Sequence, residues 1–394
     1  MKVAIIAPTY LPSLRANTIQ VMKMSQAFVA ANNEVRLAVP EESTKEPATD
    51  RSWESLAEQY GLRERFPIEW IPASSAGKKY DYAWRAVTWA GKWQAEIIYT
   101  RLPQAAALAT FRDHKTILEI HDYPQGRMGP ILFRAFLKGR GAKVLVVISS
   151  ALASDLQKDF GSPEIQLPLI IIPDGVDLDR YKDIPEPRTA RLELINGTAW
   201  LNGENKASFQ VERFTAGYTG HIYPGRGVSL IIEIAGYLPG MNFLIVGGNP
   251  ADVERYRSIV AKSQLDNVFL TGFIPNSELP RIQAACDVLL MPYQKRVSAS
   301  SGGDISRYLS PMKLFEYLAC GRAICSSDLP VFREVLSSET AILLPPDDAP
   351  AWVETLKDLS DHPSEWKKFA DNAKKTAGNY SWENRVRKML TAFA

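Results

Sequence analysis

The stretch FTAGYTGHIYPGRGVSLIIEIA, Phe214 to Ala235, decides the fold. Phe214–Thr219 has the length and apolar content of a buried strand. Gly220, Gly225 and Gly227 then punctuate a turn, and from Val228 the apolar residues recur at helical spacing. A strand that passes through a glycine-rich turn into a helix is half of a parallel βαβ unit.

The same grammar runs outward in both directions. Downstream, strand-like runs stand at Asn242–Val246, Val268–Thr271, Val288–Met291, Ala323–Ser326 and Ala341–Leu344. Upstream they stand at Val3–Ala7, Glu34–Ala38, Ile68–Ile71, Ala95–Tyr99, Thr116–Ile120, Lys143–Ile148 and Leu169–Ile172, with helical periodicity clearest at Ile19–Ala31 and Ala151–Asp159. Near-continuous apolar strands alternating with helices predict parallel sheets covered on both faces. Pro173-Asp-Gly-Val-Asp177 is a turn-rich joint between the two series. The reading is therefore two α/β Rossmann-like, doubly wound domains, 1–173 and 174–379, each with a crevice at the carboxyl ends of its strands. A single large α/β domain with an insertion is the alternative. Residues 195–212 lack periodicity and read as a loop or hairpin insertion.

Composition narrows the function. The chain has 394 residues, too many for one core by usual domain sizes, and 46% are hydrophobic. A net charge of +2 argues against a nucleic-acid binder. Three cysteines, Cys286, Cys320 and Cys325, give neither a disulfide framework nor zinc spacing. The opening MKVAIIAP is too short for a signal peptide, and no apolar run reaches the ~20 residues of a membrane span. The expected location is cytoplasmic. Between 127 and 143, Arg127, Arg134, Lys138, Arg140 and Lys143 occur without an acid, around Ile131, Leu132, Phe133, Phe136 and Leu137. That pattern suits peripheral contact with a membrane surface or a core helix with a basic edge.

Several segments carry chemistry. Glycines in the 220–227 loop let amides approach a ligand, and a helix N-terminus favours anions. His221 and Arg226 add donors there, so the loop reads either as a diphosphate site or as a plain turn. Gly247, at the end of the next strand, is a candidate wall of the same crevice. Ser310-Pro-Met-Lys-Leu-Phe-Glu316 through Gly321 reads as a helix with Ser310 as N-cap and Pro311 in first position. Amides at Met312 and Lys313 would face an anion. Glu316 would accept two vicinal hydroxyls or pair with a nearby cation. His121 and Asp122 project from the end of a strand, Asp122 either orienting His121 or capping the turn. Asp177-Leu-Asp179 has DxD spacing but no third ligand nearby.

Taken in order, these segments resemble family 4 retaining glycosyltransferases of GT-B fold, over nearly the whole chain outside 195–212. The matching pieces are Glu119-Ile-His121-Asp122, Val147-Ile-Ser149, Asp174-Gly-Val-Asp177, the 220–227 loop in place of G-R-x-x-x-x-K-G, Gly272-Phe273-Ile-Pro275, Cys286-Asp-Val288 and Ser310–Tyr317. The resemblance implies two domains facing across a cleft, with a terminal helix, 380–394, that crosses back to the first. It implies a nucleotide-sugar donor, a UDP-sugar in preference to a GDP-sugar, and a glycan, lipid-linked or small-molecule hydroxyl acceptor. Configuration is retained and no metal or other cofactor is needed. By the same resemblance His221 and Arg226 face the diphosphate, Glu316 the ribose, backbone at Phe273 and Ile274 the base, and His121 the transferred sugar. Where the family has its first glutamate this chain has Tyr308, so sugar contacts fall to Asp304, Arg307 or Tyr308. The Ser/Gly-rich 296–304 is expected to order over the donor. A UDP-sugar epimerase of the same fold, or a non-catalytic subunit partnering an active enzyme, are the alternative functions.

Overall fold

Strand β1, Lys2–Ile6, is buried along all but its first residue, and that burial sets the architecture around it. It pairs in parallel with β2, Glu34–Glu42, on one side and β4, Ile97–Thr100, on the other. With β3 (Ile68–Ala73), β5 (Thr116–Ile120), β6 (Ala142–Val147) and β7 (Leu169–Ile171), the order is β3-β2-β1-β4-β5-β6-β7, parallel throughout. The order reverses between β1 and β4, which opens the sheet at their carboxyl ends. The computed structural model describes every residue except 43–49, 75–76, 78, 162–164, 198–207, 299–302 and 394.

The chain divides into two compact units, Met1–Asp174 with Trp382–Ala394, and Gly175–Ser381. In the first, helix Ala16–Ala30 is buried almost all round, because the terminal helix Trp382–Phe393 covers the side that the sheet leaves open. Its polar residues are accordingly paired. Lys23 Nζ donates to the Gly61 carbonyl at 2.6 Å, and Gln26 accepts from the Arg63 amide at 2.6 Å.

The second unit repeats the plan with β8 (Thr215–Thr219), β9 (Asn242–Val246), β10 (Val268–Gly272), β11 (Val288–Met291), β12 (Ala323–Ser327) and β13 (Ile342–Leu344). The order β10-β9-β8-β11-β12-β13 is again all parallel and reverses between β8 and β11. Helix Val228–Tyr237 buries Val228, Ile231, Ile232 and Ile234 against this sheet. Each such side chain contributes about 1.5–3 kcal/mol of apolar transfer.

Two local expectations are corrected. Residues 195–197 are not loop but the end of helix Pro187–Gly197, which Ala190 and Leu194 anchor in the core; 198–207 lie outside the described residues. The next motif helix starts one residue later than expected: it runs Met312–Cys320, with Pro311 itself extended (ψ 128°) at the N-cap and Gly321 left-handed at its end.

Candidate functional site

Thr219 closes β8 at the point where the strand order of its unit reverses. Its amide donates to Tyr317 Oη at 2.7 Å, so β8 and helix Met312–Cys320 are locked together. The chain then enters Gly220, whose φ of +126° is open only to glycine without strain. A Cβ there would lie 2.8 Å from Lys313 Nζ. Gly247, at φ +115°, sits so close to the Gly220 carbonyl that a Cβ would come within 2.2 Å of it. Two loop backbones therefore touch at the ends of β8 and β9.

Arg226 lies further along the loop, with its guanidinium 5.0 Å from the ring centre of Tyr293, just past β11. Its Nε is buried without a protein acceptor. The His221 ring stacks on Tyr223 of the same loop, with centres 4.8 Å apart and planes 9° apart. The first-turn amides at Met312 and Lys313 have no intrahelical acceptor, and the N-cap residue, Pro311, has no side chain that could cap them. Glu316, one turn on, is only 9% exposed and accepts from Gln283 Nε2 at 3.3 Å. Gln283, fully buried, also donates to Thr219 Oγ1 at 3.0 Å and accepts from Tyr181 Oη at 2.8 Å. The carboxylate is thus held at the same strand ends as Arg226.

The remaining candidates in this unit are distributed unevenly. Phe273 follows β10 and is 43% exposed, while Ile274 is buried in the core. Asp304 is committed to its own loop, accepting from the amides of Val297 at 3.0 Å and Ser306 at 2.9 Å. Those amide hydrogen bonds hold its pKa below the usual carboxylate value. Arg307 and Tyr308 fall in a single 3-10 turn, Ser306–Tyr308, with Arg307 exposed and Tyr308 half-buried. The expected ordering of 296–304 concerns residues of which 299–302 lie outside the described ones. Asp179 is ion-paired to Lys182.

In the first unit His121 stands just past β5 with 19% of its side chain exposed, and its Nε2 meets Glu119. Glu119 also accepts from Gln20 Nε2 at 2.9 Å, Tyr99 Oη at 2.6 Å and Arg385 Nη1 at 2.7 Å. Burial alone would raise the pKa of this carboxyl, but Arg385 and His121 hold it well below the usual range. Burial, then the Arg101 charge, pushes the His121 pKa down, against the pull of Glu119. The ring is therefore neutral at pH 7, with Nε2–H donated to Glu119 and the Nδ1 lone pair left to accept. Glu119, His121 and Asp174 come close enough for a metal, yet both oxygens of Glu119 already hold two protein donors each. Arg385 supplies the positive charge that an ion would bring.

Asp122 does not orient His121. Its Oδ1 accepts from the Tyr123 amide at 2.8 Å and its Oδ2 from Gln125 at 3.0 Å, which caps the turn. The orienting residue is Glu119, two positions earlier on the strand and so on the same face as His121. Gln283 and Arg385, which hold the two carboxylates, carry no motif that marks them.

Residues 213–362 match the family described as glycosyl transferases group 1, and residues 18–180 match glycosyltransferase family 4. The chain is a member of these GT-B glycosyltransferase families. A 2-deoxystreptamine glucosyltransferase of Streptomyces kanamyceticus is 25% identical to this glycosyltransferase over 72% of the chain, and the match spans 62% of that relative's length. Among solved structures, the Anabaena protein HepE in complex with UDP superimposes with a TM-score of 0.69 at 15% identity, covering all of both chains. Sucrose-phosphate synthase of Thermosynechococcus elongatus gives 0.69 at 16%, also over all of both chains.

One face of the basic stretch is core and the other is exposed. Helix Met128–Lys138 buries Phe133, Phe136 and Leu137, while Met128 and Ile131 are exposed. Arg134 lies over the Phe160 ring at 4.7 Å and Arg140 pairs with Asp113 at 2.7 Å. No helix among the described residues is long and apolar enough to cross a membrane.

Proposed function

We propose that the chain transfers a glycosyl unit from a nucleotide diphosphate sugar, a UDP-sugar before a GDP-sugar, to a hydroxyl acceptor with retention of configuration. The observation that carries this is the meeting of Arg226, the first turn of Met312–Cys320 and the anchored Glu316 at the strand ends where β8 and β11 diverge. A cation and helix-end amides neutralise a departing diphosphate without a metal. A carboxylate held one turn away accepts the two ribose hydroxyls. HepE, of the same fold, was solved with UDP and with UDP-glucose, which favours a uridine donor here.

His121 takes the donor sugar on the strength of the family resemblance, with a neutral, oriented ring as its chemical qualification. The acceptor hydroxyl attacks from the face of the leaving group and gives its proton to the departing phosphate. Peripheral membrane contact rests on Met128, Ile131 and the cations Arg127 and Lys138; co-sedimentation with anionic liposomes, lost in an Ile131→Glu variant, tests it.

The deciding experiment is a thermal-shift panel of UDP- and GDP-sugars, followed by acceptor-dependent release of the nucleotide and NMR of the product's anomeric centre. Stabilisation by a UDP-sugar, with retained configuration, is expected. No stabilisation by any donor overturns the reading, and donor consumption without an acceptor points to an epimerase.

A further inference from the structure

Lys313 is 9% exposed, and its Nζ is buried with no hydrogen-bond acceptor from the protein. It lies 3.6 Å from the ring centre of Tyr218 and 5.5 Å from that of Tyr293. Arg226 lies over the same Tyr293 ring at 5.0 Å. Two cations thus converge on one aromatic ring. The charge facing them is Glu316, one turn along the helix, whose carboxylate is held by Gln283. Aromatic faces attract an ammonium group but cannot replace the three acceptors that it has in water. The backbone of Gly220 lies directly against Nζ, where a Cβ would stand 2.8 Å away. The arrangement is that of an anion site whose ligand completes the coordination of Lys313.

We propose that the Lys313 ammonium group binds the donor's diphosphate directly, beside Arg226, and is the second cation of the site formed by its helix and the 220–227 loop, where the His221 ring stacks on Tyr223. The assignment rests on the donor reading above. It gives Lys313 a side-chain role where the motif alone suggests only its amide.

A proton follows the ligand. Burial, and then Arg226, hold the Lys313 pKa well below the ordinary lysine value, with Glu316 pulling the other way. The other groups facing it, Tyr218 and Tyr293, are phenols whose pKa values burial raises, so they stay neutral. A diphosphate restores the charge on Lys313. Above the phosphate pKa of roughly 6, binding therefore takes up a proton wherever the ligand-free Lys313 is uncharged, and affinity falls as pH rises through that range.

Calorimetric titration of the full chain with UDP, in two buffers of unlike ionisation heat, tests both parts. The wild type is expected to take up protons, and Lys313→Met to lose that uptake. UDP affinity in the variant drops roughly 10- to 100-fold, as for one charge-assisted contact, while uridine affinity is unchanged. Its melting temperature without ligand holds or rises, since a buried amine without a hydrogen-bond acceptor is gone. If Lys313→Met does not fold, Lys313→Gln repeats the test. Equal UDP affinity in variant and wild type, or an equal loss for uridine and UDP, overturns the proposal and leaves the donor reading standing. A wild type that binds neither UDP nor GDP overturns both.

Discussion

Arg385 Nη1 lies 2.7 Å from Oε2 of Glu119, with the two side chains 2% and 0% exposed. The guanidinium also donates from Nε to the Pro173 carbonyl at 2.9 Å, from Nη2 to that of Ile172 at 3.2 Å and from Nη1 to Met24 Sδ at 3.3 Å. This pair fixes the terminal helix to the first unit and holds the carboxylate that orients His121. Removing one partner strands a buried charge, so Arg385→Met should destabilise the first unit by about 3–5 kcal/mol. Denaturant unfolding followed through the tryptophans measures it, and a change under ~1 kcal/mol would contradict the burial argument.

The same pair sets an acid limit. The folded pKa of Glu119 is depressed, so its contribution is fully present above the unfolded carboxylate pKa of about 4.3 and is lost as pH falls toward the folded value. Urea midpoints from pH 7 to 3 should decline more steeply for wild type than for Glu119→Gln. Parallel declines would show that other carboxylates govern acid unfolding.

His121 is neutral at pH 7 because its pKa is lowered. Turnover of the wild type should therefore carry no inflection from this ring between about pH 7 and 8.5. His121→Ala should lower kcat by about 100-fold or more through lost positioning, with the melting temperature little changed. Near-normal turnover in that variant would remove His121 from the mechanism.

Glu316 should be read by the sugar of the nucleotide. Wild type is expected to favour UDP over 2′-deoxy-UDP by roughly 10- to 100-fold, as for a hydrogen bond to a charged group. Glu316→Gln should narrow that ratio toward one while its binding of inorganic pyrophosphate persists. An unchanged ratio would assign the ribose elsewhere.

Arg226→Ala should cut kcat/KM by about 100- to 1,000-fold, the usual effect of losing one stabiliser of developing charge. Activity in the wild type should be the same with and without EDTA. A loss on chelation, restored by a divalent ion, would replace the cation-only account of leaving-group stabilisation.

Much of the fold could be read from the chain because its strands are buried on both faces. Thr116–Ile120, Asn242–Val246 and Val288–Met291 begin and end where their apolar runs do. Helix starts were less legible. Ser310-Pro311 reads as a cap followed by a first helical residue, but Pro311 is itself extended and holds the N-cap position, while the left-handed Gly321 was readable at the other end. Asn196 and Gly197 are poor helix formers that tertiary anchoring by Leu194 carries into a helix. The site divides similarly. Arg226 and Glu316 sit in local motifs. Arg385 reaches Glu119 across 266 positions of sequence, and Gln283 reaches Glu316 from a separate helix, so neither partner leaves a local pattern.

The terminal helix that buries Arg385 makes the first unit discontinuous in the chain, with all of Gly175–Ser381 synthesised before its last piece. On a ribosome adding about 5–20 residues per second, Glu119 waits roughly 13–53 seconds for its counter-charge, 266 positions later. During that interval the second unit can fold as a continuous segment while the first remains incomplete. Clipping or tagging the carboxyl end should thus damage the unit at the opposite end of the sequence, and chaperone dependence should track the Glu119 charge.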